Sequence, residues 1–426
     1  MPLPPPPTIV PVPSASFARP AMSPGVVVLI LSALLGIQPI TTDLYLPALP
    51  ALTSGFAAPM AQAQLTLTAL LLAFGLSQLV WGPLSDRFGR RPVLLLGLSA
   101  YIIAAIGSAL APSMELLIVW RTIQGAAMGA GVMAARAIIR DLYSPAEGAR
   151  VMSKGLSGLA VVACLSAPLG SLLSELFNWR AALLALAVFG AASLVLVAWQ
   201  YRETNPRKNP RALEPRSLWN NWLMIARNPT FRAYSALSAT SYGGLFTFLA
   251  ASSFVLIQVL QLSTAHYGLL MFSMSLVYML GTFLCRRMLP ILGVRRSVAV
   301  ACAVTLASGV LMAGFALTGL STGPTGVWFI MGPQYLFMLA HGVHQPCGQS
   351  GAVGPFPQAA GAASALNGFV MMVAAFVMGG WLGTHMDGTV FPLTNGILFW
   401  SVLIALSGWT LVQKHGEPAP APGSRH

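Results

Sequence analysis

Residues 82–92 read GPLSDRFGRRP, and this stretch decides the fold. Asp86 stands among Arg87, Arg90 and Arg91, between an apolar run that ends near residue 84 and another that begins near residue 92. A compact basic turn between two apolar runs of about 20 residues is a loop between transmembrane helices. Gly82 and Gly89 let the two helix ends approach closely. A weaker copy, RRMLPILGVRR over residues 286–296, lacks the aspartate. Paired loops in two halves of one chain mark an internal repeat.

The chain around these loops is apolar throughout. Of 426 residues, 56% are hydrophobic and 8% charged, against about 25% charged in soluble domains. Mean hydropathy is +0.74. This composition predicts an all-α membrane protein. Twelve stretches are long enough to span: 25–49, 62–84, 92–111, 115–140, 152–174, 180–200, 232–260, 265–285, 296–319, 325–353, 358–383 and 392–412. The expected organisation is a disordered Pro-rich cytoplasmic leader (1–24), a six-helix half (25–200), a cytoplasmic central loop (201–231), a second six-helix half (232–412) and a cytoplasmic tail (413–426).

A formal charge of +13 admits nucleic acid, anionic lipid or cytoplasmic loops as its reason, and position decides among them. With the N-terminus cytoplasmic, twenty of the 23 basic residues fall on the inner side, among them Arg19, Arg140, Arg207, Arg286, Arg287, Arg295, Arg296 and Arg425. Arg180 falls at an outer helix end, and Arg121 and Arg136 lie within a span. Both termini are therefore expected in the cytoplasm, with no nucleic-acid partner. Cys164, Cys285, Cys302 and Cys347 all sit in apolar stretches, where they read as small buried residues.

Asp43 is the most informative single residue, being the one carboxylate of ten inside a span. Such a group costs at least about 2.5 kcal/mol on insertion scales, so it needs a partner, water or a proton. Arg121 of the fourth span is the expected partner: at 1.5 Å per residue each lies roughly 10 Å below the outer helix ends. Making and breaking that pair would switch Asp43 between proton acceptor and donor. The alternative is a static buried ion pair. His341, His344 and Cys347 recur at three-residue spacing and form a competing constellation for a soft metal ion such as copper. Packing and hydrogen bonding across to another helix explain them better, and no metal site is assigned. HExxH does not occur, and no catalytic residue is expected.

The segment from Gly82 to Pro92 closely resembles the signature loop of the major facilitator superfamily. Thr42-Asp43-Leu44-Tyr45-Leu46-Pro47-Ala48-Leu49-Pro50 resembles the first-helix signature of its Bcr/CflA drug-resistance group. Arg121 to Gly125, Gly243 to Ile257 and Gly354 to Leu366 are similar to that group's fourth, seventh and eleventh helices. The resemblance implies a major facilitator fold of twelve transmembrane helices in two pseudo-symmetric six-helix halves. It implies a proton-coupled exporter of small amphipathic drugs, of the bicyclomycin or chloramphenicol type, in the bacterial inner membrane. Such a protein would be monomeric, without cofactor, and driven by the proton gradient.

By the same resemblance, Asp86 would pair with Arg140 and face the start of helix eleven near Gln358. With Gly82, Arg87, Gly89, Arg90 and Arg91, that pair would latch one conformation. Tyr45, Gln124, Tyr242, Phe246 and Gln345, with Asn367 of helix eleven, become candidates for substrate contact. The fifth span departs from the pattern of antiporting relatives: Ala167-Pro168-Leu169-Gly170 carries Ala where Gly is commonest. Leu35 also stands where some multidrug relatives carry a second carboxylate. The departure at Ala167 motivates the alternative of an importer or facilitator of a metabolite or soft metal ion.

Overall fold

The computed structural model describes residues 22–143, 145–205, 208–323 and 325–416. Most of the expected leader lies outside the described residues, as do Arg19, Arg207, Arg425 and the tail beyond 416. The described chain is helical, with no strand. α1 (Pro24–Asp43), a 3₁₀ turn (Leu46–Ala48) and α2 (Leu49–Phe56) form the first crossing. α3 (Met60–Phe88), α4 (Arg90–Leu110), α5 (Met114–Leu142), α6 (Pro145–Leu176) and α7 (Trp179–Gln200) complete the first six. After α8 (Pro215–Arg227) come α9 (Pro229–Ser253), α10 (Thr264–Leu317), α11 (Gly326–Val353), α12 (Ala360–His385) and α13 (Phe391–Leu406).

Among the described residues ten helices are long and apolar enough to cross a membrane, and two further observations raise the number of crossings there to twelve. α10 has 54 residues, about 80 Å at 1.5 Å per residue, more than twice the roughly 30 Å of a hydrocarbon core. It breaks at Gly293, whose φ of 71° and ψ of 172° are not helical, so its two limbs are spans eight and nine. α11 is less apolar because it turns its polar groups inward: Gln334, His341, His344 and Gln345 are all buried. Outside, the bundle wears an apolar girdle. Leu96, Ile103, Val188 and Val377 are each more than 60% exposed, a surface stable only against lipid.

Local chemistry sets the helix ends. Ser23, Ser113, Asn178, Asn228 and Ser263 each accept a backbone amide two or three residues ahead, at 2.9–3.4 Å, satisfying donors that a helix start leaves open. The central segment differs from the expected loop: α8 is a short amphipathic helix. Leu218, Trp222 and Ile225 repeat at helical spacing, with Ile225 fully buried while Trp219 stays exposed.

The two halves meet along a seam of small residues. A Cβ added at Gly75 of α3 would stand 2.7 Å from that of Met372 on α12, and one at Gly268 of α10 would meet Ser171 of α6. At the end remote from the arginine loops, the 3₁₀ turn packs on α9, and α2 packs on the π-helical turn Phe254–Val259 that follows it. Gln64 Nε2 donates to the Ala250 carbonyl across the seam at 2.8 Å. At the basic end the seam opens into a cavity of about 960 Å³ lined by α3, α5, α8 and α12. The bundle is therefore closed at one end and open at the basic end.

Within the first half, Gly170 of α6 packs directly on the Leu44 carbonyl, where a Cβ has no room. The Gly170→Val variant is expected to lose about 1–3 kcal/mol through overpacking, read as a lower melting temperature of the detergent-solubilised protein. An unchanged melting temperature would remove the α1–α6 contact from the structural account.

Candidate functional site

Pro47 has no amide hydrogen, so the Asp43 carbonyl lacks its donor four residues on and α1 cannot continue. The first span, expected unbroken over 25–49, therefore ends at Asp43 and restarts as α2 at Leu49. The break frees carbonyls in the last turn of α1. Arg121 of α5 takes one of them: its Nη2 donates to the Thr41 carbonyl at 3.0 Å and its Nη1 to Gln124 Oε1 at 2.7 Å. Its guanidinium carbon lies 4.4 Å from the centre of the Tyr45 ring, a cation–π contact. Tyr45 in turn holds Thr66 at 3.1 Å, and Thr41 holds the Tyr101 hydroxyl at 2.6 Å.

The expected ion pair between Asp43 and Arg121 is absent among the described residues. Their depths agree but their faces differ. Thr41 and Tyr45, four residues apart, share the face toward α5, whereas Asp43, two residues from each, is rotated about 200° away. Asp43 instead accepts the Thr42 hydroxyl at 2.8 Å and lies within electrostatic reach of Tyr242 on α9 and Tyr267 on α10. It is half-buried, on the seam between the halves. Tyr267, absent from the sequence-based candidates, had no signal beyond being an aromatic at the outer start of span eight.

The substrate candidates divide between occupied and unoccupied groups. Tyr45 and Gln124, expected to face a cavity, are fully buried and engaged by Arg121, which corrects that expectation. Tyr242 receives Gln38 Nε2 at 3.5 Å beside Asp43, and Phe246 packs where Gly379 of α12 crosses. Gln345 Oε1 and Asn367 Oδ1 are buried with no protein donor among the described residues. None of the six lines the open cavity.

The loop at residues 82–92 is a dense ionic cluster. Arg90 is 3% exposed, and its guanidinium binds Asp141 Oδ2 at 3.0 Å through Nε and both Asp86 Oδ1 and Ser85 Oγ at 2.6 Å through Nη1. Arg140 Nη2 reaches Asp86 at 3.9 Å, but both of those side chains are more than 40% exposed, where such a pair contributes about 1 kcal/mol or less. Arg90, and not Arg140, is thus the centre of the cluster. Arg87 points outward over the Phe88 ring. Arg140 also lies against the start of α12: a Cβ on Gly361 would stand 3.3 Å from its Nη1.

Glu203, just beyond α7, was not singled out from the sequence. Its carboxylate accepts the backbone amides of Arg90, Arg91, Thr204 and Asn205, each at 3.0 Å. Burial pushes its pKa up, but the four amide hydrogen bonds outweigh burial and hold it below the ordinary glutamate value. Gly89 makes room for this cap, since its φ is 106° and a Cβ would stand 2.5 Å from Glu203 Oε2. Arg91 reciprocates by donating to the Ala198 and Tyr201 carbonyls at 2.9 and 3.2 Å, closing the end of α7.

His341, His344 and Cys347 do not converge. His341 Nδ1 meets Ser241 of α9 at 2.8 Å, His344 Nε2 lies 3.7 Å from Cys302, and Cys347 lies 3.9 Å from Cys285. They bridge α11 to three different partners. Among the described residues no three potential metal ligands gather. In the fifth-span motif, Pro168 and Ala167 lie inside α6 without ending it, and Gly170 keeps the close contact with α1.

Comparison with known proteins joins these observations. The family profile described as Major Facilitator Superfamily matches residues 31–379. The bicyclomycin resistance protein homolog of Haemophilus influenzae is 28% identical, over 86% of this chain and 91% of that protein. Multidrug resistance protein D of Escherichia coli is 30% identical, over 82% of this chain and 86% of its own. In fold, the partially occluded inward-open xylose transporter XylE of Escherichia coli superposes with a TM-score of 0.71 at 13% identity, over 93% of this chain and 99% of that one.

Glu203 makes the stability of the basic end pH-dependent. With its folded pKa held below the ordinary 4.5, its stabilisation is complete above that value and fades as pH falls through the depressed one. The melting temperature of the wild type is expected to exceed that of Glu203→Gln at pH 7 and to converge on it as the pH falls from 4.5 through the depressed pKa. A gap that stays constant over this range would show that the carboxylate charge is not what caps α4.

Proposed function

Because the chain belongs to the Major Facilitator Superfamily, we propose that it is a proton-coupled exporter that moves small amphipathic drugs, chemically unchanged, out of the bacterial cytoplasm. The observation that carries this reading is the position of Asp43. A lone carboxylate inside a span, half-buried on the seam and facing Tyr242 and Tyr267 of the other half, changes surroundings whenever the halves rock. Alternating exposure gives such a group access to protons first from one side and then from the other. The relatives named for bicyclomycin and multidrug resistance support the drug as cargo.

Arg121 enters this scheme as a positioning residue. By tying the last turn of α1 to α5 and Tyr45, it fixes which way Asp43 points. The Arg90 cluster would act as the conformational latch, with Asp86 and Arg140 at its edge next to α12. The positive-inside rule places the basic end, with both termini, in the cytoplasm. The cavity then opens inward, ready to load, in a monomer of the cytoplasmic membrane that needs no cofactor.

Proteoliposomes with an imposed pH gradient test the scheme. Gradient-driven transport of an amphipathic drug is expected to fall at least about tenfold in Asp43→Asn, in line with loss of an essential proton-transfer group, with unchanged protein incorporation. Flux that is indifferent to the gradient, or undiminished in Asp43→Asn, would falsify proton coupling through this residue. In the same assay Asp86→Asn is expected to slow transport without lowering the amount of inserted protein; wild-type rates would dismiss the latch.

A further inference from the structure

The basic-end cavity is lined by four arginines, Arg90, Arg136, Arg140 and Arg211, and one carboxylate, Asp86. Three of the four have acidic neighbours. Arg90 is held by Asp86 and Asp141, Arg140 lies 3.9 Å from Asp86, and Arg211 lies 3.6 Å from Glu214. Arg136 has none within ion-pairing distance among the described residues. It projects from α5 about two turns before that helix ends, and donates through Nη1 to Ser364 Oγ of α12 at 2.5 Å. A guanidinium carries five N–H donors in a planar fork suited to carboxylate, sulfonate or phosphate oxygens. A cation inside the apolar layer is costly unless it is matched.

We propose that Arg136 is the anion-binding residue of this cavity, and that the transported compounds include amphipaths bearing a carboxylate, sulfonate or phosphate. The inference rests on the exporter reading for the word transported, while the binding site itself stands independently of it. The remaining lining fits the other end of such a molecule. Met133 and Met152 give a soft apolar wall, and Trp222 of α8 offers an aromatic face. A volume of about 960 Å³ accommodates a drug-sized compound. Because Ser364 lies on the other half, an anion that takes the guanidinium from it replaces a contact between the halves with a contact to cargo.

The test uses two fluorescent probes that share an anilinonaphthalene skeleton: 8-anilino-1-naphthalenesulfonate, which carries the anion, and N-phenyl-1-naphthylamine, which does not. Both are titrated into the full-length protein in phosphatidylcholine nanodiscs, with empty nanodiscs subtracted. Arg136→Gln is expected to weaken the sulfonate probe roughly ten- to hundredfold, the worth of a charge-assisted hydrogen bond. Arg136→Lys should retain part of the affinity, and the neutral probe should bind all three proteins alike.

Equal binding of the sulfonate probe to wild type and Arg136→Gln overturns the proposal. So does parallel loss of both probes, which would make Arg136 a support for the shape of the cavity. Repeating the titration in phosphatidylglycerol nanodiscs separates two sources of the anion: competition confined to the anionic lipid supports the site with a lipid headgroup as its occupant. Binding needs no gradient. Failure of drug efflux would therefore leave this result standing, and failure here would leave the Asp43 scheme intact.

Discussion

Everything near the seam depends on an amide hydrogen that Pro47 does not have. Without it α1 stops at Asp43, and the last turn presents carbonyls that must be satisfied in a medium without water. Arg121 satisfies one of them, and in doing so binds α1, α5 and the Tyr45 ring into one unit. The cation is thereby committed to backbone. Asp43, two residues further round the helix, is left facing the other half without a counter-ion among the described residues. The helix break thus separates two charges of similar depth and gives the seam a carboxylate whose surroundings are free to change.

The cluster at the basic end solves the opposite problem. There the start of α4 and the end of α7 are held by reciprocal capping: Glu203 closes the start of α4, and Arg91 closes the end of α7. Arg90 fills the space between with Asp86 and Asp141. These contacts join the ends of spans two, three, four and six, so the first half is braced as a body. The seam contacts between halves rely instead on small residues and single polar links such as Gln64 to Ala250, which a rocking motion can exchange.

Much of this was legible in the sequence, and the failures have physical causes. Span number and the existence of the loop cluster followed from apolar length and basic clustering, signals that the bilayer enforces strongly. The depth of Asp43 and Arg121 followed from helical rise, but their pairing did not, because counting residues from an end ignores rotation about the axis. Tyr45 and Gln124 misled for the same reason: they lie on the face that Arg121 occupies. α8 was hidden by its polarity, since a short interfacial helix looks like a loop to any test based on span length. Glu203 was hidden because its partners are backbone amides, which leave no mark in sequence. Gly89 was visible as a glycine, although the carboxylate it accommodates was not.

The asymmetry between the two arginine loops reaches beyond the seam. The C-terminal half, residues 232–412, holds a single carboxylate, Asp387, which lies just past the end of α12 and accepts the amide and hydroxyl of Thr389, remote from the arginines at 286–296. The first half neutralises its basic loop with its own acids; the second has none to offer. Charge balance at that loop therefore differs in kind from that at residues 82–92, since carboxylates of the half itself supply none of it. The two halves thus enter a rocking motion unequally equipped: one carries its counter-charges within itself, and the other does not.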